Sequence, residues 1–497
     1  VGSRALGGPG GGGMRINTVR DLLEVLGDDA RFIGTAPALR RTVRGFSTDS
    51  RSLNKGEAFI ALAGENFDGH SFIGMAIGRG ASVALVSRAW LDRQSEMPAL
   101  PLVAVEDTLT AYGTIATAHR SAFTMPVIAI AGSNGKTTTK EILADLLAIR
   151  HNVLRTEGNL NNLIGVPAMM LRMREEHTAA VIEIGTNMPG EITKLCGILR
   201  PTHGLITNIG REHLELLGSI EGVAREEGAL FEYLAASGGT AFVNLNDPHI
   251  ARMGKALPRK VTYGRSAKAD IGGATGKLDA TGAPALELTD RRKGSAKIHT
   301  IQLRTPGLHT AQNALAAASV ALAMRIPVGE IVRALERFQP HVYTSGYARL
   351  AAMKSSGGAT VLNDTYNSNP DSTLAALATL AAMKPGRGGR RIVVLADMKE
   401  LGGSSAEEHE RIGGAIGRMK KIHLAFFHGD EMRRAHQAAT AGADNASFFF
   451  AEKGELAGAL RSMMTPADII LVKGSRGMRM EEVVRALLAD DNGMSER

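Results

Sequence analysis

The chain has 497 residues, 44 % of them hydrophobic, enough to bury a core in each of about three or four domains. Aromatics are only 4 %, with the single tryptophan Trp90, and the basic residues behind a net charge of +8 are scattered, which argues against nucleic acid; an ordinary solvated surface is the first reading of that charge and an anionic small substrate the next. The one cysteine, Cys196, excludes an internal disulfide and suits a reducing cytosol, and no apolar run is long enough to cross a bilayer, so stable membrane insertion is not expected.

Residues 1–13 read VGSRALGGPGGGG. They lack the apolar core of a signal peptide, their glycines favour a flexible leader, and Met14 is a natural place to start. From 14 to 115 short helices and strands mix: Phe59–Ala63 and Val83–Val86 read as strands, with a helix over Ser71–Arg79 between them. From 116 to 340 strand and helix signals alternate, with strands at Val127–Ala131, Ala179–Ile184, Gly204–Thr207 and Thr240–Asn244. This argues for a mainly parallel sheet with helices on both faces. Within it, 266–303 is rich in Gly, Lys and Thr and reads as a small antiparallel excursion. From 341 to 497, four strands (Thr360–Asn363, Arg391–Ala396, Ala425–His428, Asp468–Lys473) separated by helical stretches predict another open α/β domain. No long internal repeat or heptad pattern is present.

The strongest local signal is Gly132-Ser133-Asn134-Gly135-Lys136-Thr137-Thr138, between the apolar strand ending at Ala131 and a helix predicted over Lys136–Arg150. Glycines let backbone N–H groups turn toward phosphate oxygens, and the helix adds its positive end. Lys136 would reach the terminal phosphates and the Thr137 hydroxyl would hold Mg²⁺. The usual spacing of such a loop would place glycine at Ile130, so this loop is the shorter form; a chance surface turn is the alternative.

Phosphoryl chemistry needs a metal. Glu183 ends an apolar strand, where carboxylates of parallel sheets face the ligand crevice, and is a candidate magnesium ligand; the alternative is a surface glutamate at a strand end. His213 follows the next strand and is a candidate for a metal or phosphate role, against an ordinary solvated histidine. Asn159, Asn161 and Asn162 could grip a peptide-bearing, polyhydroxylated ligand or form an Asx-rich turn. Three later segments are each a strand followed by a polar loop: 363–370 with Asp364, Tyr366 and Asn367, 395–402, and 471–476 with Lys473 and Arg476. Their loops should gather at one sheet edge.

Read in order, these motifs resemble the Mur ligase superfamily, from about Arg15 to about Leu488. The set is Gly132–Thr138, Gly158-Asn159-Leu160-Asn161-Asn162, Glu183-Ile184-Gly185, Asn208 with His213, Gly307-Leu308-His309 with Asn313, Asp364–Pro370 and Lys473-Gly474-Ser475-Arg476. The resemblance implies an α/β fold in three domains: a small mixed α/β N-terminal domain, a central P-loop ATPase domain with a mainly parallel sheet, and a C-terminal Rossmann-like doubly wound domain. It implies that Ser47–Arg51, with Ser50 and Arg51, and Gly64–His70 form nucleotide-sugar loops of a UDP-precursor domain. It further implies that Thr137, Glu183 and His213 touch magnesium, that Lys136 touches the phosphates, and that Asn313 contacts adenine. Asp364 and Arg349 would approach the nucleotide from the third domain, and Lys473 and Arg476 would serve the peptide side.

Two departures matter. Many members carry a carbamylated lysine on the helix after the histidine motif; here that position is Glu227, which would supply the anionic oxygens directly, or else be a solvated helix residue. Arg349 follows Gly346 with two residues between them, where the family places its arginine next to the glycine, and Thr310 stands where an asparagine is common. The Tyr366-Asn367-Ser368-Asn369-Pro370 loop is similar to that of the dipeptide-adding branch. The implied reaction uses ATP and Mg²⁺ to turn the carboxylate of UDP-N-acetylmuramoyl-tripeptide into an acyl phosphate that the amine of D-alanyl-D-alanine attacks, in the cytoplasm and as a monomer. The rivals are a sister ligase adding a single amino acid, a folylpolyglutamate-type ligase, and, from another class, a nucleotide-gated regulatory binding protein.

Overall fold

The computed structural model describes residues 16–64, 67–95, 101–294, 297–339, 346–441 and 446–489. The expected leader, Met14, two residues of the expected Gly64–His70 loop and the expected boundary at 340/341 lie outside the described residues. The chain divides into two compact units: residues 1–129, 151–185 and 191–202 form one, and 130–150, 186–190 and 203–497 the other.

The first unit carries a five-stranded sheet in the spatial order Arg31–Ile33, Leu102–Val105, Val83–Ser87, Ala58–Ile60, Phe46–Ser47. All neighbours run parallel except Arg31–Ile33, which is antiparallel to Leu102–Val105. Side-chain alternation explains its two cores: Ala58 and Ile60 pack on one face with Val83, Leu85 and Val103, and Phe59 and Ala61 on the other with Ala84, Val86 and Leu102. The strand expected at Phe59–Ala63 ends at Ile60, and Ala63–Gly64 pairs instead with Phe67–Asp68 in a small ribbon. The helix Thr108–Arg120 starts where Asp107 accepts from the N–H groups of Leu109 (3.2 Å) and Thr110 (2.9 Å). Cys196 lies on the buried side of the helix Glu191–Leu199.

The second unit contains two sheets. In one, the strands follow the order His299–Gln302, Pro284–Asp290, Ile271–Leu278, Lys260–Gly264, Thr240–Asn244, His203–Ile206. The last four run parallel, and the first three form the antiparallel excursion expected over 266–303. The strand Val127–Ala131 straddles the two units; its end meets Thr207, whose N–H donates to the Ala131 carbonyl at 3.0 Å.

The other sheet belongs to the C-terminal module (346–489). Its order is Ala351–Lys354, Thr360–Asp364, Ile469–Lys473, Arg391–Ala396, Leu424–His428, Ala446–Phe450. Only the first pair is antiparallel. Both faces are covered, as the near-continuous apolar runs demand: Val393 and Leu395 enter one core, Ile392, Val394 and Ala396 the other. Four strands were expected here; the sheet has six, the two additional ones being the partly exposed edge strands Ala351–Lys354 and Ala446–Phe450, the second of which carries the apolar run Phe448-Phe449-Phe450 that was not read as a strand. Among the described residues no helix is long and apolar enough to cross a membrane.

Candidate active site

The wholly buried strand Val127–Ala131 ends in Gly132, and the helix Lys136–Leu147 begins after Gly135. Both glycines have positive φ, +110° and +83°. A Cβ on Gly132 would lie 2.4 Å from Thr207 Oγ1, and one on Gly135 would lie 2.3 Å from Asn313 Oδ1, so no side chain fits at either position. The loop is gripped from one side by residues 208–210. The Ser133 N–H donates to the Asn208 carbonyl (2.9 Å), and the Gly210 N–H donates to Ser133 Oγ (2.8 Å). The Asn208 side chain both accepts from the Asn134 N–H (3.1 Å) and donates to the Asn134 carbonyl (2.7 Å). Thr137 is buried and Thr138 half-buried at the positive end of the helix.

Lys136 Nζ donates to the Gly132 carbonyl and lies 3.6 Å from Glu212 Oε2. Glu227, on the helix Ile220–Ser237, is fully buried, and its Oε2 accepts from the Gly132 N–H at 2.8 Å. The solvated-residue alternative for Glu227 is therefore excluded. Burial pushes the Glu227 carboxyl up to about 7, against the pull of Lys136 and with the push of Glu212. Burial likewise raises Glu212, against Lys136 and His213. Oε1 of each carboxylate is buried without a hydrogen-bond partner. His213 caps the short helix Leu214–Leu217 in a left-handed conformation; burial disfavours its charge, but the carboxylates of Glu400 and Glu212 outweigh that and raise it. Asn313, on the helix Leu308–Ala323, lies against Gly135, with Nδ2 buried and unpartnered.

The parallel order Thr360–Asp364, Ile469–Lys473, Arg391–Ala396 brings the three expected loops to one edge. Lys473 Nζ donates to Asp364 Oδ2 and to the Asn367 carbonyl, each at 2.8 Å. Ser475 Oγ donates to the Ser368 carbonyl (3.1 Å) and accepts from the Lys399 N–H (2.9 Å). The Arg349 guanidinium stacks 4.0 Å from the Tyr366 ring centroid, and that of Arg476 4.0 Å from Tyr347. Arg349 thus reaches this edge despite its displaced position in the sequence. Lys473 is almost fully buried, so in this arrangement it fixes Asp364 and the Asn367 turn.

The same edge meets the phosphate loop. Asn369, which caps the helix Pro370–Ala382, donates from Nδ2 to Asn134 Oδ1 at 2.9 Å. Asp371 Oδ2 accepts from the Arg211 N–H (2.8 Å) and Oδ1 from Arg211 Nη1 (3.1 Å), while Arg211 Nε lies 3.3 Å from Glu408. Glu400 Oε2 lies 2.8 Å from His213 Nδ1. Sequence reasoning assigned no role to Arg211, Glu212 or Glu400; the only signal for the first two was adjacency to His213.

In the first unit, Glu183 is buried, its N–H donating to Thr156 Oγ1 and its Oε1 accepting from Asn161 Nδ2, both at 2.9 Å. Asn162 Oδ1 accepts from the Gly165 N–H (2.9 Å) at the start of the helix Gly165–Met170, and Asn159 is exposed. Ser50 is buried with Oγ 3.2 Å from Met75 Sδ, and the exposed Arg51 forks onto Asp49.

Among the described residues no three His, Cys, Asp or Glu side chains converge as a ready metal cage. Magnesium does not require one, since it binds through one or two protein oxygens together with substrate phosphates and water. The buried, unpartnered oxygens of Glu212 and Glu227 beside the loop fit that chemistry.

Glycine-lined loop, strand, helix and half-buried lysine define this unit as an α/β phosphate-binding protein of the P-loop class. The chain belongs to the Mur ligase family. The Mur ligase family catalytic domain matches residues 42–147, the Mur ligase middle domain 130–321, and the Mur ligase glutamate ligase domain 348–476. It is 34 % identical to the UDP-N-acetylmuramoyl-tripeptide–D-alanyl-D-alanine ligase of Synechocystis sp., covering 90 % of this chain and 93 % of that one. It is likewise 34 % identical to the Escherichia coli ligase of the same name, with 91 % and 95 % covered. A crystal structure of MurF from Acinetobacter baumannii superposes with a TM-score of 0.81 at 29 % identity, covering 95 % of this chain and 98 % of that chain.

Proposed function

We propose that this chain is an ATP-dependent amide-bond ligase that joins D-alanyl-D-alanine to UDP-N-acetylmuramoyl-tripeptide in peptidoglycan precursor synthesis. The observation that carries the reading is the phosphate loop, with Lys136 at its end and the edge of the C-terminal sheet bonded to it through Asn369 and Asn134. The names of the relatives, over nearly the full chain, supply the substrates.

In this reading the backbone N–H groups of Gly132–Gly135 and the Lys136 ammonium bind the β- and γ-phosphates of ATP. Within the second unit, Thr137, His213 and Glu227 are the residues that would hold Mg²⁺, and Asn313 lies on the nucleotide side. When bound, the ion neutralises charge on the phosphoryl oxygens. The tripeptide carboxylate attacks the γ-phosphorus and ADP leaves; the amine of the dipeptide then attacks the acyl phosphate, and phosphate departs. Lys136 offsets charge developing on the transferred group, and the C-terminal module excludes the water that would hydrolyse the intermediate. Arg349, Asp364, Tyr366, Asn367, Lys473 and Arg476 order the edge that faces the nucleotide and the peptide, and Ser50, Arg51, Asn159 and Asn162 are assigned to the UDP precursor. Residues 14–115, 116–340 and 341–497 are the three functional domains. A cytoplasmic monomer is the form we propose, the single buried cysteine suiting a reducing compartment.

The test is phosphate release from ATP in the presence of each acceptor. Release that requires both the UDP-tripeptide and the dipeptide supports the ligase. Release with a single amino acid in place of the dipeptide would favour a sister activity, and nucleotide binding without either dependence would mean a regulatory binding protein.

A further inference from the structure

His213 and Glu400 are separated by nearly two hundred residues, yet their side chains meet as a 2.8 Å pair between Nδ1 and Oε2. A carboxylate can only accept, so Nδ1 carries the proton. Nε2 is then the nitrogen left for a ligand, and it lies toward the phosphate loop: 3.9 Å from Glu212 Oε2, the oxygen that is 3.6 Å from Lys136 Nζ. Both partners sit in the left-handed region, at φ +49° for His213 and +67° for Glu400. Non-glycine residues stay there only when their surroundings hold them.

Glu400 is held. Its loop is pinned by the Met398 N–H donating to His409 Nε2 (3.0 Å), by the Lys399 N–H donating to Ser475 Oγ (2.9 Å), and by Asp397 accepting from the Met432 N–H (3.0 Å). The Arg211–Asp371 and Asn134–Asn369 contacts tie the segment before His213 and the phosphate loop to a second loop of the same C-terminal module.

We propose that Glu400 is a positioning residue for His213, fixing its Nδ1–H tautomer and aiming Nε2 at the phosphate loop, so that the imidazole becomes a ligand of nucleotide-bound magnesium only while the C-terminal module is docked. A carboxylate behind a ligating histidine fixes both ring orientation and basicity. Because this carboxylate comes from the module bearing the last substrate loops, metal binding and docking become one event. The proposal rests on the assignment of His213 as a magnesium ligand.

The experiment titrates manganese, as a paramagnetic stand-in, into the full-length protein with ATP, read by electron paramagnetic resonance. Glu400→Ala should weaken manganese binding about 10- to 100-fold. Glu400→Gln, which keeps an acceptor oxygen, should stay within about threefold of wild type. The double variant His213→Ala, Glu400→Ala should be no weaker than His213→Ala alone, since the effect travels through the imidazole. Affinity for the UDP-tripeptide should be unchanged in all three. A long-range ¹H–¹⁵N spectrum of the magnesium–nucleotide complex of the wild type should show His213 protonated at Nδ1; protonation at Nε2 alone overturns the proposal without any variant. If wild type and His213→Ala bind manganese alike, the ligand assignment itself is wrong. If His213→Ala weakens binding and Glu400→Ala does not, only the positioning role falls.

Discussion

Replacing Glu227 by glutamine should make the nucleotide-free protein harder to unfold in mild alkali and at the same time stop amide synthesis. The side chain is fully buried and its carboxyl is held at about 7 rather than the ordinary 4.5. At about 1.4 kcal/mol for each tenfold change in proton affinity, keeping it ionised inside the fold costs about 3 kcal/mol. The sign follows from proton uptake: between pH 4.5 and 7 the folded chain holds this proton more tightly than the unfolded one. Stability therefore falls as pH rises through that window, and the penalty is complete above it. Glutamine keeps an oxygen for the Gly132 N–H but turns the unpartnered Oε1 into an amide N–H, which takes back about 1 kcal/mol. The net gain is about 2 kcal/mol in mild alkali and reverses to a loss of about 1 kcal/mol in acid, where the wild-type carboxyl is protonated and only the amide penalty remains. Urea unfolding of both proteins at the two pH values measures it, with coupled phosphate release as the activity readout. Equal midpoints in alkali would refute the buried-charge account, and full-rate ligation by the variant would refute Glu227 as a source of anionic oxygen for the metal.

Lys136→Ala should lower dipeptide coupling by about 100- to 1000-fold while leaving affinity for the UDP precursor intact, measured by phosphate release and calorimetry. Gly135→Ala forces a side chain into a +83° conformation and against Asn313, so ATP affinity should fall at least about tenfold and stability by about 1–2 kcal/mol, read by nucleotide titration and thermal melting. Asp468 is buried and, although burial favours its neutral form, hydrogen bonds from Arg390 and Thr465 lower its pKa below 3.8. Its stabilisation is present above the ordinary carboxylate range and lost as pH falls through the depressed value. Asp468→Asn should therefore cost about 3 kcal/mol near neutrality, with the gap to wild type closing in acid, as urea unfolding would show.

The strands Val127–Ala131, Thr240–Asn244 and Arg391–Ala396 were legible to the residue because each is a buried apolar run bounded by turn chemistry. Ala351–Lys354 and Ala446–Phe450 were not, since edge strands need only one neighbour and only part of a buried face. The phosphate loop was legible for a local reason: glycine spacing and the lysine–threonine pair encode its conformation. Gathering of the Asp364, Asp397 and Lys473 loops followed from topology. What sequence could not give were partnerships made by tertiary folding, such as Arg211 with Asp371, Glu400 with His213, and Glu212 beside Lys136. Each is an ordinary charged residue until the chain brings its partner to it. Lys473 shows the converse, a residue correctly placed at the edge whose ammonium is spent on Asp364 and Asn367.

Cys196, the sole thiol of the chain, lies on the buried side of its helix with Ile192, Leu195 and Leu199. Maleimide reagents should pass it by while the fold is intact. One cysteine introduced at a chosen surface position would then be the single attachment point for a dye, with no need for a cysteine-free background, and an optical record of catalysis in progress could be built on the native chain.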